Sequence, residues 1–217
     1  MRTTRTLKVL ATALAAAGIT ALSGPAMAGS ATDSAAPFSV AIQHDFSIVI
    51  PGFLYFRVGP GNPFGGADSA AIGLITFTAT VANAGDGSSI AGTGGDAAAS
   101  AATVAVRANR GQVTITETNN SGGNGLGTGV PADGYIAYTE ISTTPSNASL
   151  PAPALSNAGG GTSAPTLGRD VGVGGPRVTD RSGTWTYAYS NNTLPSAGTY
   201  GAGGGTGGSV TYTATTP

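Results

Sequence analysis

The sequence predicts an all-β, antiparallel fold, and three observations predict it. Apolar residues recur at period two in one segment after another, which is the periodicity of a strand with one buried face. The same segments are rich in Val, Ile, Thr, Tyr, Phe and Trp, the residues that suit a pleated, half-buried surface. Between them, 36 glycines and 13 prolines gather in turn-forming stretches.

Residues 1–28 have the composition of a secretory signal. Arg2, Arg5 and Lys8 precede an apolar, Ala-rich run from Leu7 to Leu22, and Ala26-Met27-Ala28 supplies a cleavage site. The mature chain is expected to be residues 29–217, one domain, with a small-residue leader over 29–37. Phe38, Val40 and Ile42 alternate as a short strand.

Phe46 to Gly59 is the densest apolar and aromatic run of the mature chain. Phe46, Ile48 and Ile50 alternate, and after Pro51-Gly52 both faces are apolar. A two-residue hairpin at Pro51-Gly52 is disfavoured, because such hairpins want positive φ where proline fixes φ near −65°. A single long strand, kinked at Pro51-Gly52, is expected instead.

Further along, Ile72–Val81 reads as a strand with a bulge near Leu74-Ile75, where the apolar parity switches. Asn83–Ala102 is low in complexity, with a helix over Asp96–Ala102 as an option, since alanine favours helix. Thr103–Ala108 and Gly111–Thr118 read as a hairpin, with Val104 and Val106 facing Val113 and Ile115. Tyr135–Ile141 alternates as a strand. Ser142–Asp180 is weakly patterned, and its prolines make Leu150–Leu155 a candidate edge segment. Trp185, Tyr187 and Tyr189 line one face of a strong strand over Gly183–Ser190, and Ser209–Thr215 closes the chain. Pairing of these last two strands would make Tyr212 a cross-strand neighbour of the aromatic stripe. The total is eight to ten strands joined by long Gly/Pro-rich loops, an immunoglobulin-like antiparallel β-sandwich.

Composition restricts function. Beyond residue 28 the chain carries six arginines, no lysine and all ten acidic residues, a net charge of −4. It offers no basic face for nucleic acid and no polybasic anchor for anionic lipid. Nothing beyond the signal is apolar and long enough to span a bilayer. There is no cysteine, so stability must come from packing.

The side chains of catalysis are sparse. His44 is the single histidine. Its neighbour Asp45 would point to the opposite face of a strand, and no G-x-S-x-G elbow exists. Zinc needs several His or Cys ligands. Asp68, Asp86 and Asp96 sit in Gly-rich loops but form no D-x-[DN]-x-[DN]-G pattern, so no metal or cofactor is expected. Glu117 and Glu140, the two glutamates, read as solvated strand-end charges. The glycines of 201–208 lack the G-K-[ST] ending of a phosphate loop. One arrangement suggests a ligand: Trp185, Tyr187 and Tyr189 on one strand face would make a platform for sugar rings, if that face is not core.

The C-terminal end carries a resemblance. Trp185-Thr-Tyr-Ala-Tyr-Ser-Asn191, Ala197-Gly-Thr-Tyr200 and Val210-Thr-Tyr-Thr-Ala-Thr-Thr-Pro217 resemble the ending of small secreted bacterial β-sandwich surface proteins of the spore-coat-U-like and WxL-like kind. The chain lacks the cysteines common in coat-U-like pilins and has no W-x-L. The resemblance implies a fold more than a task.

The sequence therefore reads as a non-enzymatic structural or adhesive protein, secreted or at the cell surface, with the periplasm as the alternative location. Its expected partners are itself, another surface protein or a glycan. Self-association by strand addition would use Ala36–Ile42 as the added strand on a neighbour's open edge. The alternative is a monomeric carbohydrate-binding module using the Trp185 face.

Overall fold

The computed structural model describes residues 30–69, 73–98, 100–168, 177–201 and 206–217. The expected signal segment, Ile72 and the region around Asp170 lie outside them. The chain divides at Ile50–Pro51 into two units.

The described residues up to Ile50 form no strand. Asp33 organises a local turn by accepting hydrogen bonds from the amides of Ala35 and Ser39, each at 2.9 Å. The rings of His44 and Phe46 lie 5.5 Å apart. The large apolar side chains are exposed, Phe46, Ile48 and Val49 at 85–88%. The expected strand over Phe38–Ile42 and the first half of the expected kinked strand are therefore not formed. A strand exists only through ladder hydrogen bonds to a neighbour, and alternation alone supplies none.

From Pro51 on, the chain is all-β and antiparallel. Its strands are β1 (Leu54–Val58), β2 (Ile75–Thr76), β3 (Ile90–Ala91), β4 (Thr93–Gly94), β5 (Ala101–Ala108), β6 (Thr114–Asn119), β7 (Leu126–Gly127), β8 (Tyr135–Ile136), β9 (Ile141–Pro145), β10 (Thr162–Ser163), β11 (Thr179–Tyr189) and β12 (Val210–Thr215). Half of them are two residues long, so the expected long strands over Ile72–Val81 and Tyr135–Ile141 shrink to short bridges around loops. A single turn of 3-10 helix over Tyr138–Glu140 interrupts the latter. The option of a helix over Asp96–Ala102 is not realised: Ala101 and Ala102 begin β5.

Two sheets carry the fold. One has the order β1-β5-β11-β3, with β9 also on β11. The other has the order β10-β6-β12. Their inner faces share one core that includes Val104, Val106 and Trp185 from the first, Ile115 from the second, and Val113 just before β6. Each of these side chains is 1% exposed or less, and full burial of a Val or Ile contributes roughly 1.5–3 kcal/mol.

This arrangement corrects the expected hairpin. β5 and β6 do not pair; β5 bonds to β1 and β11, β6 to β10 and β12. The link between them crosses from one layer to the other at Gly111, whose φ of 106° only glycine adopts easily. Val104 and Val106 do face Val113 and Ile115, but across the core rather than along a ladder. β11 and β12 likewise lie in different sheets. The prolines of Leu150–Leu155 make no strand; Leu150 and Leu155 are buried instead.

Candidate functional site

The aromatic stripe is turned inward. Trp185 is fully buried, and Tyr187 and Tyr189 are each 8% exposed. The indole N–H of Trp185 donates to the Leu150 carbonyl at 3.0 Å. The Tyr187 and Tyr212 hydroxyls share a hydrogen bond of 3.2 Å. Burial raises the pKa of Tyr187 and of Tyr212 above the ordinary phenol range, so both stay neutral donors. As an open platform for sugar rings this face is not available; it is the centre of the core.

Glu117 is not a solvated strand-end charge either. It is fully buried on the inner face of β6. One oxygen accepts from the Asn119 amide at 2.9 Å, and the other has no partner among the described residues. Glu140 behaves as expected of a surface acid and accepts from Asn192. His44 lies in the N-terminal unit with a carboxylate neighbour, Asp45, that is bonded to Gln43. No group of three or more His, Cys, Asp or Glu among the described residues could hold a metal ion. No helix of the described residues is long and apolar enough to cross a membrane.

What the structure does present is a sheet edge with no partner strand among the described residues. β1 pairs with β5 in the register Leu54↔Ala108 to Val58↔Val104. The bonds from Asn109 N–H to the Phe53 carbonyl and from Gly59 N–H to the Thr103 carbonyl bracket that ladder. Alternation then turns the backbone of Tyr55 and Arg57 toward β5 and that of Leu54, Phe56 and Val58 outward. Those three residues make no backbone hydrogen bond to any other described residue outside the ladder. All five residues of β1 line a cleft of about 360 Å³ whose other wall is formed by residues 61–62 and 66–69.

The sequence builds this edge firmly. Asn109 clasps the entry to β1: its amide donates to the Pro51 carbonyl at 2.8 Å and its oxygen accepts from the Phe53 N–H at 2.9 Å. Arg57 bridges to Asp96 at 3.0 Å, and Asp96 also accepts from the Thr103 amide at 2.6 Å. Burial works against the Asp96 charge, but the hydrogen bonds from Thr103 and Arg57 outweigh it and hold the carboxyl below its ordinary range. On the other strands, Arg107 meets Asp180 at 3.0 Å and lies under the Phe64 ring. β1 is thus a rigid edge with half-exposed apolar side chains, Leu54 at 38%. Its position at an edge could not be read from a segment apolar on both faces, which more often marks a central strand.

β12 is also terminal in its sheet, but its outer face carries Thr211, Thr213 and Thr215, all exposed. An apolar partner strand gains little there.

Comparison of the chain with protein-family models, with curated proteins and with solved structures finds no match in any of the three.

Proposed function

We propose that the protein is a non-enzymatic structural or adhesive subunit, exported to the cell surface, that self-associates by strand addition. The observation that supports this is a complementary pair of features. One is the outer edge of β1, unpaired among the described residues, with its cleft. The other is an alternating apolar segment of the same chain, Phe38 to Ile50, that has no strand of its own and exposes Phe46, Ile48 and Ile50. An edge strand with free N–H and C=O groups is a template for a further strand. Exposed apolar residues of this size do not persist on a soluble monomer without a partner surface.

The donor is placed in a second copy. To fold back onto β1 of its own chain, residues 46–50 would need a tight hairpin at Pro51-Gly52, which proline geometry opposes. The added strand extends beyond Ala36–Ile42, because Phe46, Ile48 and Ile50 form a second exposed alternation, more exposed than Phe38, Val40 and Ile42.

The test is the particle size of the mature chain in solution, with and without residues 30–50. The full chain is expected to form multimers that grow with concentration, and the truncated chain to stay monomeric. A peptide of residues 36–50 added in excess should cap the full chain at low mass. Equal particle size for both chains would end the proposal.

A further inference from the structure

A second cavity lies away from the β1 edge, about 260 Å³ in volume, where the loop after β6 meets β7, β8 and the turn before β12. We infer that it is a binding pocket for one neutral sugar unit, with the ring of Tyr135 as its stacking face and the side-chain amide of Asn124 as its hydrogen-bonding group.

The lining is polar but carries no Asp, Glu, Lys, Arg or His. A charged ligand would find no counter-charge there, and a metal ion no carboxylate. Tyr135 is the one aromatic of the lining and is 48% exposed, so its ring is open to a ligand while the Trp185 stripe is not. An aromatic face with wet polar neighbours is the combination that holds a sugar ring, apolar C–H groups on the ring and hydroxyls on the amides. The volume is below the roughly 300–1,000 Å³ of drug-sized sites, which suits a single ring.

The walls are built for close backbone approach. A side chain at Gly127 would put its Cβ 2.9 Å from the Tyr135 ring, so glycine is what lets that ring lie against the strand. Gly207 has a φ of 75°, and a Cβ there would come within 2.5 Å of the Gly125 carbonyl oxygen. The Tyr138 hydroxyl donates to the Gly207 carbonyl from behind.

The floor is held by a buried network. Ser121, 9% exposed, has its hydroxyl on Asn119 at 2.7 Å and on the Asn157 carbonyl at 3.0 Å and accepts from the Gly123 amide, and Asn119 donates in turn to the fully buried Glu117. Placing a carboxylate in the core with one unpartnered oxygen costs stability, and it fixes Asn119 and so the pocket floor. Asn124 is held through its backbone, its N–H on the Ser121 carbonyl and its carbonyl on Asn157. Its exposed side-chain amide makes no hydrogen bond among the described residues and remains for a ligand.

The experiment is ligand-detected NMR and calorimetry of the mature protein against glucose, galactose, mannose, N-acetylglucosamine and glucuronate. At least one neutral sugar is expected to bind, and glucuronate to bind more weakly. Tyr135→Ala should weaken that binding at least tenfold, while Tyr135→Phe, which keeps the ring, should stay within about threefold. Asn124→Ala should weaken it several-fold with the melting temperature unchanged. No binding by any neutral sugar, or binding that survives both alanine variants, overturns the inference, as does a preference for glucuronate. Particle size measured on the same samples reports strand addition separately, so either idea can fail without the other.

Discussion

The indole of Trp185 on β11 meets the phenol ring of Tyr212 on β12 edge-on, with centroids 5.2 Å apart, and this contact joins the two sheets at their centre. Trp185 sits opposite Ala102 and Pro145 in its own sheet, so its bulk projects into the space between layers. Replacing Trp185 with alanine should cost about 3–5 kcal/mol, the range for an emptied aromatic core site. In a Trp185/Tyr212 double-mutant cycle by urea unfolding, the pair should couple by about 0.5–1.5 kcal/mol. Additive effects would place the contact outside the energetic core.

The buried phenols make the fold sensitive to base. Burial, with the nearby Glu117 carboxylate adding to it, pushes the Tyr138 hydroxyl up to about 12, and burial raises Tyr187 and Tyr212 as well. A group raised in the fold contributes its full stability below its unfolded value of 10.0 and loses it as pH climbs past that value. Stability measured by urea titration is expected to hold up to pH 10 and to fall between pH 10 and 12. In Tyr138→Phe the fall should be shallower. An identical fall in that variant would assign the alkaline loss elsewhere.

Asp96 has the opposite sign. Its carboxyl is held below the ordinary value of 3.8, so its contribution is complete above that value and is lost as pH drops below it. Asp96→Asn keeps the shape, removes the charge facing Arg57, and should destabilise by about 1–3 kcal/mol at pH 7. The gap between wild type and variant should narrow on acidification to pH 3. A gap independent of pH would mean that the ion pair contributes nothing.

Glu117 is expected to be costly. Glu117→Gln replaces a buried carboxylate by a neutral amide that can still accept from Asn119. Thermal unfolding should shift upward, by about 1–3 kcal/mol in stability, as when other buried charges are neutralised. A lower melting temperature would show that the charge has a partner that the geometry does not reveal.

The sequence made the strand content legible, and the buried side of it. Val104, Val106, Ile115 and Trp185 belong to strands placed by their alternation, Val113 immediately precedes one, and all are core. Pairing was harder to read. Two apolar faces that match can meet along a ladder or across a sandwich, and Val104 and Val113 show that period two does not distinguish the cases. The extended reading of Phe46–Ile50 failed for a related reason. Alternation reports what a segment would bury if it had a neighbour, and this segment has none within its own unit. Glu117 was misread because a single buried acid in a Thr-rich strand has no sequence signature. The pocket beside Tyr135 depends on glycines far apart in the chain, Gly127 and Gly207, which only the fold brings together.

Amide hydrogen exchange at Leu54, Phe56 and Val58 tests strand addition most directly, because their N–H groups point to the open side of β1. In dilute monomer they should exchange quickly while Tyr55 and Arg57, bonded to β5, are protected. On assembly at high concentration, or with a peptide of residues 36–50, Leu54, Phe56 and Val58 should become protected together with the amides of 46–50. Assembly that leaves these three amides exchanging as in the monomer would contradict the account.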